Sequence, residues 1–90
     1  MSKTYVIEDD WHAEWSGEYS SYDDAFAELR RRAESPWDEP PNQAPCMSWQ
    51  TCGRAYWIIE FASKEEPWEV LNRIWIFNIS AEGVTWNPET

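Results

Sequence analysis

Three glycines, two cysteines, one histidine and seven basic residues are all that 90 positions contain of those types. No apolar run approaches the ~20 residues that a bilayer-spanning helix needs. Each shortage removes a class of function. So few glycines leave no Gly-rich loop to cradle a phosphate, and Gly-x-Ser-x-Gly and HExxH spacings are absent. Two cysteines and a single histidine, His12, make a poor ligand set for a structural zinc site, which takes four ligands, typically as two close pairs. Acidic residues spaced for a calcium loop are also missing. Seven bases against 17 acids give a net charge of -10, which argues against direct contact with nucleic acid or an anionic membrane. The opening residues turn acidic at Glu8, where a secretory signal would still be apolar. A cytoplasmic, reducing location is therefore expected, with Cys46 and Cys52 as free thiols anchoring a loop rather than as a disulfide.

What the chain has in abundance is tryptophan and acid. There are eight tryptophans, and 42% of residues are hydrophobic, which suits one globular domain spanning residues 1–90. Aromatics bury on the order of 150–250 Å² each, an efficient core for so short a chain. The acidity is uneven: residues 1–39 hold 11 acids and 4 bases, residues 40–90 hold 6 and 3. A solvated, solubilising face accounts for such a cluster as well as a partner does.

Residues 3–9 alternate as a strand. Asp10 to Gly17 reads as a polar-aromatic connection or a second short strand. Residues 22–34 form the clearest element. Tyr22, Ala25, Phe26, Leu29 and Ala33 make one apolar stripe at helical period. Ser20 or Ser21 caps it, Asp23 and Asp24 suit the positive end of the dipole, and Arg30, Arg31 and Arg32 suit the negative end. Residues 35–53 carry Pro36, Pro40, Pro41 and Pro45 and read as a long ordered loop. Residues 54–62 and 71–80 alternate as two strong strands that pair as an antiparallel hairpin, and Val84–Trp86 makes a short edge strand. The expected fold is α+β: a small two-layer domain with an antiparallel sheet of three to four strands, one main helix on one face and a long Pro-rich loop. Trp57 and Trp75, at matching parity, are expected in the core. Trp11, Trp15, Trp37, Trp49 and Trp68 fall in loops and either seal the core edge or project as anchors.

His12 lies among Glu8, Asp9, Asp10 and Glu14, a setting that can tune a general base, yet no nucleophile motif accompanies it. The chain is read as a non-enzyme without a cofactor or metal. Exposed tryptophans rimmed by carboxylates suit arginine and lysine through cation–π contact and ion pairs. The candidate binding residues are Glu8, Asp9, Asp10, Trp11, Glu14, Trp15, Trp37 and Trp49. In size and charge the chain is similar to small acidic bacterial inhibitor and immunity proteins, which neutralise a basic nuclease-type partner. That likeness implies an inhibitor-type or DNA-mimic protein, monomeric or homodimeric, that occludes a basic protein surface without touching nucleic acid or membrane. The alternative is a small-ligand or glycan binder stacking on Trp37 and Trp49; an accessory subunit with a permanent aromatic interface is a further possibility.

Overall fold

The computed structural model describes residues 3–43 and 53–89. Strand β1 (Lys3–Asp9) and β2 (Glu14–Tyr19) precede helix α1 (Tyr22–Ala33), and β3 (Gly53–Ala62), β4 (Glu69–Ser80) and β5 (Gly83–Trp86) follow. They form a small α+β domain: one five-stranded sheet in the order β2-β1-β3-β4-β5, every neighbouring pair antiparallel, with the helix against it. The expected sheet of three to four strands is thus one strand short. The extra strand is β2, whose alternation is broken by one surplus residue opposite β1, where the register slips between Val6 and Glu8. Gly17, at φ +92°, occupies this irregular stretch in a conformation that glycine adopts without strain.

Helix α1 forms for the reasons its sequence gives. The Ser21 hydroxyl accepts from the Asp24 amide at 3.1 Å, Asp23 and Asp24 occupy the first turn, and the three arginines occupy the last. Arg31 and Arg32 both pair with Glu28 at 2.6 Å. Ala25 and Leu29 are fully buried, with Tyr22, Phe26 and Ala33 beside them. Against these lie Ile7 of β1, Tyr56 and Ile58 of β3, and Ile76, Phe77 and Ile79 of β4. Burying a side chain such as Leu29 or Ile58 stabilises by about 1.5–3 kcal/mol.

Arg32 does more than complement the helix end and pair with Glu28. It is buried, donates to Ser16 at 2.9 Å and stacks 5.4 Å from the Tyr56 ring centroid, tying the helix end to β2 and β3. Beyond the helix, Asn42 is fully buried and acts as a tether. Its Nδ2 donates to the Arg32 carbonyl at 2.8 Å and also reaches the carbonyls of Ser35 and Pro36, while its Oδ1 accepts from the Tyr56 hydroxyl at 3.0 Å. The Arg32 carbonyl also accepts from the Ser35 amide at 3.1 Å, so Asn42 adds a second donor at the helix end. The rest of the expected Pro-rich loop, with Cys46, Cys52 and Trp49, lies outside the described residues.

The other face of the sheet carries no helix among the described residues. Val6, Ile59 and Phe61 form a small second cluster there, with Trp57 and Trp68 packed on it. Trp57 and Trp75 do stand directly opposite each other on β3 and β4. They are half-buried on this open side, however, rather than in the main core, because the helix covers the Tyr56–Ile58 face instead. Strand β4 carries two surplus residues relative to β3, near Trp57 and near Phe61. Val70 and Leu71 are exposed at its start, while β5 pairs with it along Phe77–Ser80. No described helix is long and apolar enough to cross a membrane.

Candidate functional site

The β1–β2 turn concentrates charge because β1 ends in Glu8 and Asp9, which alternation sends to opposite sides of the sheet, and Asp10 opens the turn. Asp9 points inward and is 2% exposed. Its Oδ1 accepts from the amides of Trp11 and Ala55 at 3.1 and 3.0 Å. Its Oδ2 accepts from Arg54 Nη1 at 2.9 Å and meets His12 Nδ1 at 2.5 Å. Four interactions make Asp9 a structural anchor for the turn, not part of the candidate surface. His12 is drawn into the same network.

Arg54 is the hub of this inner network. It bridges Asp9 and Glu14, the latter at 2.7 Å, and donates to the carbonyls of Asn42 and Gln43. Burial works against its charge, but the hydrogen bond to Glu14 and the neighbouring anionic groups outweigh that and hold its pKa above the usual arginine value. The same bond holds the Glu14 carboxyl below the ordinary glutamate range. Asp9, His12 and Glu14 bring three potential metal-ligand atoms within 4.8 Å of one another. A divalent ion there would have to displace the Arg54 guanidinium, which already bonds both carboxylates.

The outward side of the turn is different in kind. Glu8 and Trp15 face each other across β1 and β2, and the indole Nε1–H donates to Glu8 Oε2 at 3.1 Å. Glu8 Oε1 accepts from Arg73 Nη2 at 2.6 Å, and Asp10 accepts from the same nitrogen at 3.2 Å. The Arg73 guanidinium lies 4.7 Å from the Trp57 ring centroid. The bond to Glu8 is the main reason that the Arg73 pKa stands above its usual value. Trp11 and Trp15 are 51% and 60% exposed beside these carboxylates. Phe61 continues the aromatic row, 5.4 Å from Trp15 and 5.7 Å from Trp68 between ring centroids.

Of the eight residues expected at the site, the fold brings Glu8, Asp10 and Trp15 together at the open face, with exposed Trp11 next to Asp10 in the turn, while Glu14 pairs with Arg54 on the helix side. Asp9 lies beneath them. Trp37 is half-buried against the main core and seals it, away from the turn, and Trp49 lies outside the described residues. Sequence reasoning missed Trp57, Phe61 and Arg73 as parts of the same surface; Glu18 and Trp68 belong to the expected acidic stretch and loop tryptophans without being assigned to the site. The alternation of Trp57, Ile59 and Phe61 was visible, but which face the helix would leave open was not. Compared with protein-family models, with curated proteins and with solved structures, the chain matches none.

Proposed function

We propose that this chain is a small acidic protein-binding module that occludes a basic protein surface through the open face of its sheet, in the manner of an inhibitor, immunity-type or DNA-mimic protein. The observation that carries this reading is the exposure of Trp11 and Trp15 beside Glu8 and Asp10. Tryptophan gives a stiff anchor with large contact area, and the carboxylates give a rim that attracts cations. The contact of Arg73 with Trp57, Glu8 and Asp10 supports the chemistry, since the chain's own guanidinium is held there by the two kinds of group that a partner's would meet. A net charge of -10 steers a basic partner in and keeps nucleic acid out.

The test is capture of binding proteins from the native host lysate at low and high salt, repeated with a Trp15→Ala, Asp10→Asn variant. A basic protein held at low salt, lost at high salt and lost by the variant is the expected result. Capture that ignores both salt and the variant would remove the reading.

A further inference from the structure

The open face contains a groove whose composition asks for a cation. Trp15 forms one wall and Trp68 another, Val6 and Gly17 complete the lining, and Glu18 stands at its edge. The register explains the grouping: Glu18 lies opposite Val6 across β2 and β1, so its side chain shares the open face with the second cluster. Phe61 sits between the two indoles, in ring contact with each. The bond from Trp15 Nε1 to Glu8 fixes the orientation of its wall before any ligand arrives.

The groove volume is about 210 Å³. That is below the ~300–1,000 Å³ of pockets that take drug-sized ligands, and it suits a single side chain. An anion entering it would meet Glu18 and the field of a strongly acidic protein. A neutral apolar group would cover Glu18 without pairing it, at a desolvation cost. An aliphatic stem ending in a cation satisfies the apolar lining, the indole faces and the carboxylate together. The same surface already holds one such arrangement, with Arg73 on Trp57 between Glu8 and Asp10. In the Trp15–Trp68 groove the corresponding aromatic and acidic groups are present, while no lysine or arginine is among its lining residues. Glu18 could accept either a guanidinium fork or an ammonium, and the ammonium is the more compact of the two for a groove of this volume. A compact ammonium on a flexible stem is the better fit.

We propose that the groove between Trp15 and Trp68 seats a lysine side chain of the protein partner, with its ammonium paired to Glu18. This rests on the basic-partner reading above and adds the residue type that docks and where it docks.

The probe is Nα-acetyl-lysine methylamide, titrated into the full-length chain at constant ionic strength, with Nα-acetyl-norleucine methylamide as the neutral comparison. The readout is the indole N–H resonances of the ¹⁵N-labelled protein. Saturable shifts of the Trp15 and Trp68 indoles with the lysine probe, not with the norleucine probe, are expected. Glu18→Gln, an exposed substitution, should weaken binding about two- to fivefold, the range of an exposed cation–π or ion-pair contact. Trp68→Ala should abolish the saturable shift. Equal shifts from both probes, or shifts unaffected by Glu18→Gln, would overturn the proposal. So would a captured basic partner that binds Glu18→Gln and Trp68→Ala as tightly as the parent chain, although the broader binding reading would then stand. Specific lysine binding by a chain that captures no basic protein would instead keep the groove as an ammonium site and remove the protein partner.

Discussion

The indole of Trp15 donates to Glu8 at 3.1 Å from one strand to the next, and the other Glu8 oxygen holds Arg73 at 2.6 Å. One carboxylate thereby fixes both an exposed anchor and the cation lying over Trp57. Glu8→Gln keeps the size but loses the charge. The expected loss of stability is small, about 0.5–1 kcal/mol, because Arg73 is substantially exposed and water screens the pair. The larger expected effect is a changed Trp15 environment, read as a displaced indole N–H resonance. An unchanged indole would mean that the hydrogen bond does not hold the ring in solution.

Steering and anchoring separate kinetically. With a captured basic partner in hand, Asp10→Asn combined with Glu14→Gln should slow association by several-fold at low salt and change dissociation little. Trp15→Ala should do the reverse, since a buried anchor acts on the off-rate. Stopped-flow or surface-based kinetics at two salt concentrations distinguish the two; an on-rate insensitive to both charge and salt would remove the steering role.

Arg54 carries the buried side of the turn. Arg54→Ala leaves Asp9, 2% exposed, without its main cationic partner. Stranding a buried charge typically costs 3–5 kcal/mol, and the continuing bonds to Asp9 from His12 and two amides place this case near ~3 kcal/mol. Urea unfolding measures it. A loss under ~1 kcal/mol would show that the remaining donors suffice.

Acid sensitivity follows from two glutamates. Glu14 is held low by its bond from Arg54. Glu28 is pushed up by burial but pulled lower overall by Arg31 and Arg32. A carboxyl depressed in the folded state contributes stability above its unfolded value of 4.5, and that contribution is lost as pH falls through the folded value. Unfolding free energy should therefore decline as pH drops below about 4.5. In Arg54→Ala the Glu14 carboxyl should titrate nearer its ordinary value while Glu28 does not move, as carboxyl NMR titration would report.

Asn42 provides a test remote from the open face. Asn42→Ala removes the donor to the Arg32 carbonyl and the acceptor for the Tyr56 hydroxyl, in a fully buried position. A cost of about 2 kcal/mol is expected from the two lost buried hydrogen bonds, with the Arg32 carbonyl still accepting from the Ser35 amide. Tyr56→Phe removes only one of these bonds and should cost about 1 kcal/mol. Equal losses would indicate that the tether acts through the hydroxyl alone.

The sequence made some of this legible and hid the rest for physical reasons. Helix α1 is visible because its stripe, cap and end charges are all local, and β3 and β4 are visible because alternation survives their bulges. Strand β2 is obscured by the surplus residue at its centre and by Gly17. The exposure of Trp15 beside Glu8 was anticipated only as a condition, since it depends on which face the helix takes. The burial of Asp9 depends on Arg54, 45 positions away, and the fate of Arg73 on Glu8, 65 positions away. No local pattern encodes such pairings.

A chain this rich in tryptophan also faces the hazard of growing strand by strand into fibres, and the first half of β4 shows how that route is obstructed. Val70 and Leu71 are exposed there, beyond the stretch that β5 pairs. The surplus residue opposite the Glu60–Phe61 step kinks this margin, and Glu69 and Arg73 flank it with charge. A second copy approaching side by side meets a bent, charged border instead of a straight template, so the molecule can keep its aromatic surface open without polymerising along it.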